Sequence, residues 1–159
     1  MENSVAQNMV ELYRAHGKTC ATAESCTGGL VGGAVTSVAG SSEVFLGGII
    51  SYANEVKMNV LGVPKGVLDT VGAVSRECAA AMAEGARRLT GADVAVSTTG
   101  IAGPGGGSAE KPVGLVWFGL ATAEGTRTEK AIFRGDRAGI RENAVTHALG
   151  MLTMAVGSS

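Results

Sequence analysis

A short apolar run, Lys18-Thr-Cys-Ala-Thr-Ala23, ends in Glu-Ser-Cys-Thr-Gly-Gly29 and is followed at once by apolar residues at helical spacing. That order predicts a strand, a tight turn and a helix. Such a turn lifts its side chains beyond the sheet and aims the first unpaired N–H groups of the helix at whatever lies above. Ser25, in the middle of the turn, is therefore either a nucleophile beside ready-made oxyanion donors or a polar residue that only shapes the turn. On the residues alone the plainer reading leads.

The alternation of strand and helix continues around it. Ser4 and Gln7 form a capping box before Val5, Met9, Leu12 and Tyr13, and Gly17 stops that first helix. Thr27 is the expected N-cap of a second helix that carries Leu30, Val31, Ala34, Val35 and Val38 to Gly40. Glycines 28, 29, 32 and 33 lower its helix propensity and imply close approach of a strand or ligand. A strand is expected near Leu46–Tyr52, a short helix over Asn54–Leu61 and an irregular stretch around Pro64. Ser75 caps a longer helix whose face is Cys78, Met82, Ala86 and Leu89 and whose end is Gly91. The strand Asp93–Thr99 runs into a glycine-rich loop that lasts to Pro112. Strands over Val113–Ala121 and Arg127–Phe133 flank a turn at Ala123–Thr126, and Asp136 caps a last helix bearing Ile140, Ala144, Ala148, Leu152 and Ala155. The fold class that follows is α/β: a three-layer α/β/α sandwich with a mixed sheet containing a C-terminal antiparallel hairpin. With 159 residues, no repeat and no linker, residues 1–159 read as a single domain.

Composition excludes several function classes. The 13 basic and 14 acidic residues balance to a net charge of −1, which argues against a nucleic-acid partner. No apolar run is long enough to span a bilayer, so no membrane partner is expected. Three cysteines without Cys-x-x-Cys spacing make neither a disulfide framework nor a zinc site. The first residues lack the features of a signal peptide. A cytoplasmic protein without a metal is the expectation.

Ligands of open α/β sheets gather beyond the carboxyl ends of the parallel strands. Three polar clusters fall at such ends: Glu24-Ser25-Cys26-Thr27, Ser51-Tyr52-Ala-Asn54 with Lys57 just beyond, and Thr98-Thr99-Gly100 with its loop. They share one cleft if their strands are parallel neighbours. A serine needs a base for its proton and donors for the oxyanion; the amides of Thr27, Gly28 and Gly29 are the expected donors. Cys26 is the competing nucleophile, although adjacent turn residues point different ways. His16 and His147 lie away from the strand ends, so a Ser-His-Asp triad is disfavoured. Lys57 can substitute if burial depresses its pKa, with Tyr52 tuning it, although an ordinary exposed lysine is the simpler reading of Lys57 by itself. The glycine loop lacks the P-loop pattern, and no Gly-x-Gly-x-x-Gly opens a helix.

Seven segments in order then match a known pattern: Ala23–Gly29, Ala39-Gly-Ser-Ser42, Ser51–Lys57, Gly72-Ala-Val-Ser75, Thr99–Gly106, Lys111-Pro-Val-Gly114 and Phe133-Arg-Gly-Asp-Arg137. The chain resembles the CinA C-terminal domain family, whose stand-alone bacterial members are PncC-type nicotinamide mononucleotide amidohydrolases. The resemblance implies hydrolysis of the carboxamide of nicotinamide mononucleotide to the acid and ammonia, in pyridine nucleotide salvage, without cofactor or metal. It implies Ser25 as nucleophile, Lys57 as proton-transfer partner, Tyr52 as orienter or relay and Thr99 as a further hydroxyl. Beside it, Ser41, Ser42 and the loop glycines Gly100, Gly103 and Gly105 are the candidates to hold ribose and phosphate. A homo-oligomer is expected. Longer members carry an N-terminal molybdopterin-binding-type domain, for which this chain has no room, and its activity is not carried over. The alternative is a non-catalytic nucleotide-binding or regulatory domain linked to competence or DNA damage.

Overall fold

The computed structural model describes residues 2–157. In chain order the elements are α1 (Glu2–His16), β1 (Cys20–Glu24), α2 (Leu30–Thr36), β2 (Phe45–Ile50), α3 (Asn54–Asn59), α4 (Lys65–Thr70), α5 (Arg76–Thr90), β3 (Val94–Gly100), β4 (Leu115–Thr122), β5 (Gly125–Ile132) and α6 (Arg137–Gly157). The strands form one sheet in the order β2-β1-β3-β4-β5. The first three are parallel, and β4 and β5 are antiparallel to their neighbours. This is the mixed sheet with a C-terminal hairpin that the sequence implies.

Successive side chains of a strand point to opposite faces, and β3 shows how that sorts the core. Val94 and Val96 join Val116, Phe118 and Leu120 against α1, α2 and α6. Ala95, between them, joins Ala21 and Ala23 against Cys78, Met82 and Ala86 of α5. All five residues of β1 are buried, as expected for a strand covered on both faces. The Tyr13 hydroxyl donates to Leu152 O at 2.6 Å and ties α1 to α6. On the other face α5 sits unusually close. A Cβ on Gly119 would lie 2.3 Å from Ala79 O, and one on Gly85 would lie 2.1 Å from Leu61 O. These glycines are what let helix and backbone touch.

Four expectations need correction. The first helix begins at Glu2, so Ser4 lies inside it and does not cap it. The second helix is only Leu30–Thr36; Thr27 is part of the turn before it, and Gly29 at φ 102° holds the N-cap position. The stretch after Pro64 is a helix, α4, for which Pro64 is the N-cap; six residues are too few to show a period. The hairpin turn is also shorter than Ala123–Thr126, because β5 already starts at Gly125. Ser75 caps α5 by accepting from Cys78 N, and Asp136 Oδ1 accepts from Gly139 N at the start of α6, both as expected.

Among the described residues, no helix is long and apolar enough to cross a membrane. The topology fixes the position of the site. Because β2, β1 and β3 are parallel neighbours, Ser51, Ser25 and Gly100 leave the sheet at one edge. Ser51 N donates to Glu24 O at 2.7 Å and Ser25 N to Thr98 O at 3.0 Å, which stitches the three strand ends together.

Candidate active site

At that edge a pocket of about 200 Å³ is lined by Ser25, Cys26, Tyr52, Asn54, Lys57, Ala73, Val74, Thr99, Gly100, Ala102 and Arg137. Lys57 enters from α3 and is 1% exposed. Its Nζ lies 2.8 Å from Ser51 O, 2.9 Å from Tyr52 O and 3.1 Å from Ser25 Oγ. Two of the three amine directions are thus spent on carbonyls, which can only accept. The third points at Ser25: it carries a proton when Lys57 is charged and the lone pair when it is neutral. Burial lowers the Lys57 pKa, opposed by smaller effects of Cys78 and Cys26. Among the described residues, no carboxylate hydrogen-bonds to Lys57 to hold it charged.

Glu24 shapes the turn that carries Ser25. Its side chain is 1% exposed. Oε1 accepts from Thr27 Oγ1 at 2.7 Å, Gly29 N at 3.1 Å and Val31 N at 2.9 Å. Oε2 accepts from Gly32 N at 2.9 Å and Thr22 Oγ1 at 3.2 Å. The proton of Thr27 goes to Glu24, so Thr98 is the donor in the 2.7 Å contact between the two threonine hydroxyls. Glu24 therefore serves the N-terminal amides of α2 that an N-cap would otherwise serve.

This overturns part of the expected oxyanion hole. The Gly29 amide is spent on Glu24 and the Gly28 amide donates to Ser25 O at 3.1 Å. Thr27 is buried with its hydroxyl in the Glu24 network. Ser41 and Ser42 are displaced further: they stand in a 3-10 turn, Ser41–Glu43, which precedes β2 and so lies at the opposite end of the parallel strands. Of the loop glycines, Gly100 lines the pocket, Gly103 borders it by accepting at its carbonyl from Arg137 Nη1 at 2.8 Å, and Gly105 is not among the lining residues. Thr99 lines the pocket, with its hydroxyl donating to Ala73 O at 2.8 Å. Tyr52 meets Lys57 through its backbone carbonyl, whereas the 65% exposed side chain ends 3.5 Å from Arg137 Nη2. Cys26 also lines the pocket, yet burial pushes its thiol up to about 11, well above where a thiolate forms at neutral pH. Neither histidine lines the pocket: His16 Nδ1 is near Leu12 O, and His147 pairs with Glu129.

Besides Glu24, two arginines have roles at the site that the sequence patterns do not assign. Arg137 and Arg141 stand one turn apart at the start of α6. Arg137 reaches the pocket and Arg141 Nε donates to Cys26 O at 3.1 Å, on the nucleophile's own turn. Cations at a helix N-terminus oppose the macrodipole, and that misplacement is the sequence signal that they have partners elsewhere. Among the described residues, no group of three or more His, Cys, Asp or Glu is placed to hold a metal.

The model of the CinA C-terminal domain matches residues 2–156. The chain belongs to the CinA C-terminal domain family. A CinA-like protein of Synechococcus sp. (strain RCC307) is 49% identical over 156 residues, which are 96% of this chain and 37% of that protein. The chain thus spans about a third of the length of the curated relatives it matches. The crystal structure of competence/damage inducible protein CihA from Agrobacterium tumefaciens is 44% identical with a TM-score of 0.94, covering 98% of this chain and 95% of that one. A CinA superfamily protein of Escherichia coli is 31% identical with a TM-score of 0.92, over 97% of this chain and 90% of that one.

Proposed function

We propose that this CinA-family domain is a cytoplasmic amidohydrolase that converts nicotinamide mononucleotide to the acid mononucleotide and ammonia through an ester on Ser25. The observation that carries the reading is the 3.1 Å approach of a buried lysine amine to the Ser25 hydroxyl, with its other two directions tied to carbonyls. In the first half, neutral Lys57 takes the Ser25 proton as Oγ attacks the carboxamide carbon. The C–N bond breaks as Lys57 returns that proton to the departing nitrogen, and ammonia leaves. In the second half, Lys57 takes a proton from water, the water oxygen adds to the ester carbon, and Ser25 leaves reprotonated. With Gly28 and Gly29 spent, the amides of Cys26 and Thr27 are the turn donors left for the oxyanion. The positive charges of Arg137 and protonated Lys57, in a pocket without carboxylates, favour the charge that develops there.

The proton logic sets the pH dependence. Lys57 works as a base only when neutral, and burial lowers its pKa, so kcat/KM rises with pH up to that lowered pKa and is flat above it. The limb therefore sits below the ordinary lysine value. Lys57→Arg keeps the charge and is expected to remove the limb and lower turnover by about 10³-fold. Ammonia release from nicotinamide mononucleotide measured across pH checks both. The names of the relatives speak of competence and damage, and a nucleotide-binding module without chemistry is the second reading. Saturable nucleotide binding with no ammonia release at any pH decides for it.

A further inference from the structure

A second cavity of about 700 Å³ adjoins the Ser25 pocket, and Val74 lines both. It exists because α5 begins late above β4. The close seat of Ala79 on Gly119 leaves the earlier part of β4, with Leu115 and Trp117, as an open floor. Ile132 and Lys130, their cross-strand partners on β5, extend it. Lys130 Nζ lies 5.4 Å from the ring centroid of Trp117, the only tryptophan in the chain.

The glycine-rich loop supplies the opposite side. Ser108 N donates to Lys111 O at 2.8 Å and Lys111 N to Ser108 Oγ at 3.1 Å, closing a turn that carries Lys111 back to the wall. The Lys111 ammonium donates to Val71 O, at one end of the wall between the cavities, while Thr99 holds Ala73 O from the catalytic side. The cavity also contains Arg76, Glu77 and Glu110. Arg76 has Glu77 at 3.9 Å, whereas among the described residues neither Lys111 nor Lys130 has a carboxylate at ion-pair distance. Two ammonium groups without an ion-pair partner thus line the cavity beside Glu77 and Glu110, and that of Lys130 lies over the Trp117 ring.

Size gives the cavity a use. The Ser25 pocket, at about 200 Å³, is smaller than the roughly 300–1,000 Å³ that encloses a small ligand, whereas the outer cavity falls within that range. We propose that the outer cavity is the phosphate subsite of the enzyme. The pyridine ring and carboxamide occupy the Ser25 pocket, the ribose crosses Val74 above Trp117, and the 5′-phosphate lies between Lys111 and Lys130. This placement rests on the amidase reading for the ring, whereas a sugar phosphate fits the outer cavity whether or not amide chemistry occurs next door.

Two measurements test it. Ribose 5-phosphate is the probe for the cavity alone, with Trp117 fluorescence as the readout. A saturable change is expected with ribose 5-phosphate and not with ribose, and it is lost in Lys130→Met, a variant that touches no part of the wall. For turnover, Lys130→Met and Lys111→Met each raise KM for nicotinamide mononucleotide about tenfold, the scale of one charge-assisted hydrogen bond. They leave kcat, and kcat/KM for nicotinamide riboside, within about twofold, so the preference for the phosphorylated substrate falls; Lys111→Arg restores it. Equal losses on both substrates, or a preference that survives both methionine variants and disappears in Arg137→Met, overturn the subsite while the amidase stands. A fluorescence response to ribose 5-phosphate in a chain that releases no ammonia overturns the amidase while the subsite stands.

Discussion

Ser25→Ala is expected to lower ammonia release from nicotinamide mononucleotide by at least about 10⁴-fold, while Cys26→Ala stays within about threefold of wild type. The two residues adjoin on one turn and both line the pocket, but only Ser25 Oγ is reached by Lys57 Nζ. The Cys26 thiol, held protonated by burial, has no such base. Removing one small hydroxyl at the pocket edge leaves the core packing untouched, so the melting temperature of Ser25→Ala matches wild type. Steady-state assays with thermal unfolding as a control read both effects. An active Ser25→Ala together with an inactive Cys26→Ala reverses the assignment.

Glu24→Ala is expected to act on stability first. It strips acceptors from three backbone amides and two threonine hydroxyls gathered around a buried carboxyl group. Orphaning such a cluster costs about 3–5 kcal/mol. For a domain of this size, at roughly 2–4 °C per kcal/mol, the melting temperature falls by roughly 6–20 °C. Glu24→Gln retains one acceptor oxygen but turns an NH₂ toward donors, and loses a large part of the same stability. Calorimetry of the three proteins checks the order wild type, then Gln, then Ala. A drop below ~2 °C in Glu24→Ala contradicts the role given to the carboxyl group.

Of these two neighbours, Ser25 is placed by local sequence pattern, whereas the role of Glu24 depends on the folded turn. The strand-turn-helix order around Ser25 rests on local pattern, and local pattern also yields the hairpin, the Ser75 and Asp136 caps and the mixed sheet. The meeting of three polar clusters follows once parallel strands are adjacent. The Gly28 and Gly29 amides differ from expectation because a helix N-terminus advertises free amides, and nothing local says that a glutamate five residues before Gly29 will bury itself under them. Ser41 and Ser42 were misplaced because a motif on the chain carries no record of which end of a strand it flanks. Arg137 and Arg141 were passed over because their partners, Gly103 O and Cys26 O, are 34 and 115 residues away. Tyr52 was expected to act through its phenol, yet the contact with Lys57 is made by its carbonyl, an atom that every residue has.

The central claim is a covalent ester on Ser25, fed by a neutral lysine. It is tested most directly by acid-quenching the protein within its first turnovers on nicotinamide mononucleotide and weighing the peptide that contains residues 25 and 26. This peptide is expected to gain the mass of the nicotinoyl ribotide group, on Ser25, in step with an early burst of ammonia. Steady ammonia release with the peptide unmodified, or with the group on Cys26, contradicts it.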